Sequence, residues 1–265
     1  MRIETERLFL REMNENDYEA LYAVLADSDI MQHYPYTFDE TKVRGWVSRN
    51  IERYQIFGFG LWAVCLKENG EMIGDCGLTM QLIGGVIKPE IGYHIRKDHQ
   101  RKGYAKEAAI AVRDWTFRNT PFNVIFSYMK YTNTPSAQTA LSWGCHQVDE
   151  FEDEVNEITK VFAITRTEWM NTIIENTTLK ENIDVLLSNI DKLHTTELGA
   201  ERIRGNLNLE VDNVVDFCKK KIVADNCNIY KQGKNWYCEI DGIKITVNSF
   251  SYTIITAKKV KKKSV

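Results

Sequence analysis

The sequence predicts a mixed α/β domain over residues 1–172, built on a central, mostly antiparallel sheet flanked by helices, and a small α+β domain over 179–265. Three observations carry this reading. Strand-like and helix-like runs alternate through the first part of the chain. A hairpin signal, Asn69-Gly70, lies between two long strand-like segments. Beyond Cys227 the apolar period changes from helical to alternating, with turn residues at Gly233 and Gly242. A chain of 265 residues also exceeds the ~100–150 typical of one domain.

In order, Leu8, Leu10 and Met13 suggest a first strand, and Leu21, Val24 and Leu25 follow at helical spacing. Asp39 and Thr41 offer cap chemistry before Val43, Trp46, Val47, Ile51 and Tyr54, a second amphipathic helix. Leu61–Lys67 and Met72–Leu82 read as strands joined at Asn69-Gly70. Gly84-Gly85 breaks the next connection, and 90–96 alternates as a further strand. Ala105–Phe117 carries an apolar face rich in alanine, able to lie close on a sheet, and Pro121 stops it. Then come a strand at 122–131, a short helix at 136–143 ended by Gly144, and strands at about 145–152 and 156–166. The polar run 173–178 is expected to be a linker whose Thr178 caps a new helix. Leu179, Ile183, Leu186, Ile190 and Leu193 mark that helix. Leu198–Asn206, ended at Gly205, marks a shorter one, and Val211, Val214, Val215, Cys218 and Ile222 mark a third. The rest is an antiparallel meander.

The composition is that of an ordinary globular chain, with 43% hydrophobic and 27% charged residues. A net charge of −3 supplies no global attraction to nucleic acid, and the basic end Lys258, Lys259, Lys261, Lys262 and Lys263 reads as a solvated tail. The charged start has no apolar run suited to a signal peptide, and no stretch approaches the ~18 apolar residues of a membrane span, so a cytoplasmic location without membrane partners is expected. The six cysteines contain no C-x-x-C pair and read as reduced thiols. Cys218, Cys227, Cys238 and His194 match no zinc-ligand spacing, so no metal is expected.

The chemically informative segment is Gln100-Arg101-Lys102-Gly103-Tyr104-Ala105, between a strand and a helix. A glycine there allows close approach of backbone to a ligand. Unpaired N–H groups at the helix start, with Arg101 and Lys102 beside them, suit a phosphate or pyrophosphate. The alternative is a glycine in a basic surface turn.

This segment resembles the signature of the GNAT superfamily of acetyltransferases, Gln/Arg-x-x-Gly-x-Gly/Ala after the fourth strand, matched from Gln100 to Ala105. The branch containing the ribosomal-protein alanine N-acetyltransferases is resembled in particular. The residues that carry this are Glu4-Thr5-Glu6-Arg7-Leu8, Glu90-Ile91-Gly92-Tyr93, and Asn133-Thr134-Pro135-Ser136 ahead of Gly144. The resemblance implies a GNAT fold with a splayed cofactor cleft, and acetyl-CoA as the donor for transfer to a primary amine on a peptide or small molecule. It implies that the backbone of Ile95 and its neighbours His94 and Arg96 lines the pantetheine arm. Arg101, Lys102, Gly103, Tyr104 and Ala105 would surround the pyrophosphate, and Asn133 the pantetheine side.

An alkyl amine with a pKa near ~10 is only about one part in 10³ neutral at pH 7, a handicap of roughly 4 kcal/mol, so a base is needed. Glu90, at the start of the cofactor strand, is the first candidate, against the alternative of a surface carboxylate at a strand end. Glu152 and Glu154 are fallbacks. Many relatives protonate the thiolate with a tyrosine seven residues after the asparagine, but Ala140 stands there in this chain. Ser136 is the substitute the branch suggests, with a helix cap as its other reading. The departure at Ala140 also keeps open an acetyl-CoA-binding sensor without catalysis. Acceptor choice is expected to lie in His33-Tyr34-Pro35-Tyr36-Thr37-Phe38 and in the stretch from Gln81 to Lys88.

The second domain, from about 183 to 260, resembles a bacterial domain of unknown function. The carrying residues are 191–199, Lys234-Asn235-Trp236-Tyr237 and 251–256. A substrate-recruiting module is favoured over a nucleic-acid binder using Arg202, Arg204, Lys219, Lys220 and Lys221, since charge runs on helices are usually solvated faces. A homodimer is compatible with the sequence.

Overall fold

The computed structural model describes residues 2–34 and 38–260, and divides into two compact units, 1–170 and 171–265. The first begins with β1 (Arg2–Glu4) and β2 (Leu8–Arg11), followed by α1 (Tyr18–Leu25) and α2 (Glu40–Phe57). β3 (Leu61–Leu66), β4 (Met72–Ile83) and β5 (Val86–Ile95) lead to α3 (Tyr104–Asn119). The unit continues through β6 (Val124–Lys130), α4 (Thr134–Ser142), β7 (His146–Asp153) and β8 (Glu157–Thr165). Eight strands form one sheet in the order β1-β2-β3-β4-β5-β6-β8-β7, antiparallel throughout except at β5–β6. The short β1, beside Arg11, was not expected from the sequence. Two of its three residues, Arg2 and Glu4, are charged, leaving no apolar alternation to read.

Cap chemistry sets the helices. The Asp39 carboxylate accepts from the Lys42 N–H at 2.9 Å to start α2, and Gly58, at φ 74°, ends it in the left-handed region that only glycine enters freely. Alternation along β3 then assigns the faces. Leu61, Ala63 and Cys65 pack with Leu21, Val24 and Leu25 of α1 and Val43 and Val47 of α2. On the other face Trp62 meets Trp115 of α3 with ring centroids 5.0 Å apart. Each buried aliphatic side chain contributes roughly 1.5–3 kcal/mol.

Two strand expectations change in detail. Gly84-Gly85 is the tight turn of one long hairpin, both residues having positive φ, so β5 begins at Val86 and not at residue 90. The stretch Gln81–Lys88 is accordingly mostly paired strand.

The helix α5 (Arg166–Ser188) begins in the last residues of the first unit and runs unbroken through 173–178, where a linker and a new cap at Thr178 were expected. Polar residues in that run are compatible with helix, and no glycine or proline interrupts it. α6 (Glu197–Leu207), capped by Thr196, continues through Gly205 and ends at Asn208, which takes the left-handed conformation expected of Gly205. α7 (Val214–Ile222) starts at Asn213, whose side chain accepts from the Val215 and Asp216 N–H groups. β9 (Asn228–Gln232), β10 (Asn235–Ile240), β11 (Ile243–Asn248) and β12 (Ile254–Lys259) form an antiparallel meander. Its inner residues Trp236, Cys238, Ile245 and Val247 close a core with Ile203, Leu207, Cys218 and Ile222.

Candidate active site

The sheet opens where β5 meets β6. These parallel strands share one register pair, Glu90 with Phe126, and part beyond it toward Ile95 and Lys130. On its other side β5 is fully paired with β4, from Ile83–Val86 to Gly74–Ile95. Arg96 N–H donates to Ile73 C=O at 2.8 Å, which fixes the alternation. Backbone groups of Gly92 and His94 therefore point to β4, and those of Tyr93 and Ile95 point into the opening. The Ile95 carbonyl accepts from the Gln100 side chain at 2.9 Å, leaving its N–H for a ligand.

At the end of β5 the chain turns into α3 through Arg101 and Gly103, with φ of 59° and 84°. Gly103 caps α3 with no side chain over the helix end, and Arg101 and Lys102 are exposed beside it. Arg7 braces the turn. It donates to the Lys102 carbonyl at 2.9 Å, pairs with Glu107 at 2.7 Å, and lies 4.6 Å from the centroid of the Tyr104 ring. An open helix N-terminus, two exposed cations and strand amides that face the opening suit a phosphorylated, amide-bearing ligand such as acetyl-CoA. Arg96 is placed differently from its neighbours: its guanidinium is committed to Glu71 and Asp98, both at 2.7 Å.

Glu90 lies on the α1/α2 face of the sheet, opposite Thr79, whose hydroxyl donates to it at 3.1 Å. It is buried, so the surface-carboxylate reading does not hold. Burial pushes its carboxyl up to about 7, against the lowering by the Thr79 hydrogen bond, His94 and Arg53. The side chain leans along its own strand. A Cβ built on Gly92 would find as its three nearest atoms those of the Glu90 carboxylate, starting at 3.3 Å. The missing side chain of Gly92 thus leaves room on this face for the Glu90 carboxylate. Glu152 and Glu154 are exposed on or beyond β7.

Four residues join the site that the sequence did not single out as chemistry. Register places Asp75 opposite His94, and their side chains meet at 2.7 Å between Oδ1 and Nδ1. Trp46 Nε1–H of α2 donates to the other Asp75 oxygen at 2.9 Å, and the Tyr34 hydroxyl is 2.7 Å from His94 Nε2. Burial alone would depress the His94 imidazolium, but the charge and hydrogen bond of Asp75 outweigh it, and its pKa lies above the ordinary 6.5. The His94 side chain thus stands on the α1/α2 face with Glu90. On the α3 side, Tyr93 Oη donates to the Ser136 carbonyl at 2.9 Å and is 3.3 Å from Ser136 Oγ. Asn133, not Ser136, is the cap of α4, its side chain accepting from Ser136 N–H at 3.2 Å. Ala140 is fully buried. Of the loop expected to choose the acceptor, Pro35, Tyr36 and Thr37 lie outside the described residues, as do Lys261, Lys262 and Lys263 of the tail.

In the second unit Arg204 donates to the Val211 and Asp212 carbonyls, Lys219 to the Asp191 carbonyl, and Lys221 pairs with Asp241. Three of the five cations considered for nucleic acid thus have local partners. Cys218 and Cys238 are buried in the core. Among the described residues no helix is long and apolar enough to cross a membrane.

Comparison with known proteins gives this geometry its family. The family described as "Acetyltransferase (GNAT) domain" matches residues 7–146, and that described as "Protein of unknown function (DUF3781)" matches 187–258. The uncharacterized protein YkkB of Bacillus subtilis is 34% identical over 54% of this chain and 83% of its own length. The uncharacterized N-acetyltransferase YnaD of the same organism is 26% identical over 64% of this chain and 99% of its own. Among solved structures, a GNAT-family acetyltransferase from Bacillus anthracis matches with a TM-score of 0.55 and 26% identity, covering 63% of this chain and 99% of that one. RimL, a ribosomal L7/L12 alpha-N-protein acetyltransferase in complex with coenzyme A, matches in fold with a TM-score of 0.54 and 18% identity, over 62% and 98%. A parted β5–β6 pair, an open α3 terminus and a sequence match across more than half of the chain lead to one conclusion: this protein belongs to the GNAT acetyltransferases, an acetyl-transferring enzyme with a DUF3781 domain at its C-terminal end.

Proposed function

We propose that the chain transfers the acetyl group of acetyl-CoA to a primary amine, on a peptide N-terminus or a small molecule, by direct attack on the thioester, with Glu90 as general base. The observation that carries this is the buried Glu90 carboxyl, held at about 7 and leaning over Gly92 beside the opening of the sheet. A base with that value is half ionised at neutral pH and strong enough to take a proton from an ammonium. Arg101, Lys102, Gly103, Tyr104 and Ala105 hold the pyrophosphate, and the Tyr93 and Ile95 backbone lines the pantetheine arm, with Asn133 across from it. A backbone N–H of β5 in the opening stabilises the oxyanion formed on attack. With Ala140 unable to protonate the thiolate, Ser136 Oγ is the donor on the α4 side, and Tyr93 Oη beside it supplies a second hydroxyl.

The test is thiol release from acetyl-CoA by the full-length protein against peptides beginning with Ala, Ser or Met, spermidine, kanamycin and free amino acids. Turnover of one acceptor class is expected. Tight acetyl-CoA binding with no turnover of any of them would refute amine transfer.

A further inference from the structure

We propose that Tyr34, His94 and Asp75 form a proton relay that takes a proton from the acceptor nitrogen, making a second proton acceptor at the far side of Gly92 from Glu90. The proposal rests on the transferase reading above and adds residues to it. An ammonium acceptor sheds two protons on becoming an amide, one ending on the CoA sulfur and one in solvent. Glu90 accounts for one transfer at a time, so a second acceptor removes the need for it to be emptied within the same turnover.

Three features place the relay. First, β4–β5 pairing sets Asp75 against His94 and Thr79 against Glu90, with Gly77 opposite Gly92 between them. A Cβ on Gly77 would strike the Gly60 carbonyl, whereas the nearest atoms to one on Gly92 belong to the Glu90 carboxylate, which leans over Gly92 toward His94. At about 3.3 Å per residue the Glu90 and His94 backbones are about 13 Å apart, and both side chains stand on the α1/α2 face, so an acceptor nitrogen brought to Glu90 meets the relay on the same side of the sheet. Second, the chain of contacts is continuous. Asp75 is fully buried and held at one oxygen by Trp46 Nε1–H, so its other oxygen fixes the hydrogen of His94 on Nδ1. Nε2 then carries the lone pair that accepts the Tyr34 O–H at 2.7 Å. Third, exposure rises along the chain: Asp75 and His94 are buried, whereas Tyr34 is 37% exposed, so Tyr34 is the member of the chain nearest solvent.

In the transfer, an N–H bond of the acceptor breaks and its proton goes to Tyr34 Oη as the Tyr34 O–H proton goes to His94 Nε2. The imidazolium is balanced by Asp75 and returns the proton through the same phenol to solvent after the product leaves. The charged groups acting on His94 are Asp75 of β4 and Glu90 of β5, and Arg53 of α2 acts on Glu90. Asp75 lifts His94 above its ordinary 6.5, so Nε2 is freed as pH rises through that lifted value.

The experiment compares the wild type with Tyr34→Phe and His94→Gln in the same thiol-release assay, with kcat and the KM for acetyl-CoA followed from pH 6 to 9. Tyr34→Phe removes one oxygen from a half-exposed ring and keeps the fold testable should His94→Gln unfold. The expected result is a kcat about tenfold lower at pH 7, a KM for acetyl-CoA within about twofold, and loss of one of two rising ionisations, leaving that of Glu90. Tyr34→Phe with both ionisations intact and kcat unchanged would overturn the relay while Glu90 and the transferase reading stand. Failure of the wild type to turn over any amine would overturn the transferase reading, and the relay with it.

Discussion

Replacing Glu90 by Gln should separate its cost to the fold from its use in the reaction. In the folded chain the carboxyl is pushed from its ordinary 4.5 up to about 7 by burial. A raised value means that the folded state keeps a proton that the unfolded chain gives up. Stability therefore falls as pH rises from 4.5 through about 7 and is flat on either side. At about 1.4 kcal/mol for each pH unit between the two values, ionising Glu90 costs the fold about 3 kcal/mol above pH 7. Glutamine keeps an oxygen to accept the Thr79 hydroxyl and has nothing to ionise. The variant should match the wild type near pH 4.5 and exceed it by about 3 kcal/mol at pH 8. Urea unfolding followed by tryptophan fluorescence reads this directly, because five of the six tryptophans belong to the first unit. Turnover of the same variant should fall at least about tenfold with acetyl-CoA affinity little changed. A stability difference that stays constant from pH 5 to 8.5 would refute the burial argument, and unchanged turnover would remove Glu90 from the mechanism.

Other substitutions follow from the same geometry. Gly92→Ala places a methyl 3.3 Å from the nearer Glu90 oxygen and should lower kcat about tenfold with the melting curve nearly unmoved, since the neighbour that must yield is a side-chain end. Gly103→Ala forces a side chain to φ 84° and to 3.3 Å from the Arg7 guanidinium; a loss of about 1 kcal/mol in unfolding and a several-fold weaker calorimetric affinity for acetyl-CoA are expected. Asn213→Ala removes a cap with two hydrogen bonds and should cost the second unit about 1 kcal/mol, seen as faster amide exchange in α7, without altering acetyl transfer.

Much of the first unit was legible because its signals are local. Asp39, Asn69-Gly70, Pro121 and the alanines of α3 act on residues next to them. The signature around Gly103 is local too, which is why the turn into α3 lies where the sequence expects it. The Asp75–His94 pair was hidden because nineteen positions separate its members. Only the register of the Ile83–Val86 hairpin brings them together, and that register depended on a strand longer than residues 90–96 suggest. A charged residue and a histidine inside two otherwise apolar strands were the available signal. At 173–178 the error ran the other way. Polarity there reads as a break, although a helix needs no apolar residue where it meets water. At Gly205 the expected stop was passed because Asn208 supplied the left-handed end.

The parting of β5 from β6 also means that the eight strands are not one continuous lattice. A panel of five strands and a panel of three hang from a single rung at Glu90 and Phe126, so the molecule carries two strand edges in its interior. Their position inside the sheet keeps those edges from recruiting a foreign strand. A ligand whose amides bridge the two lips would act as a missing piece of sheet. Its arrival would be felt as slower hydrogen exchange along both edges, a stiffening that spreads from the donor into the fold itself.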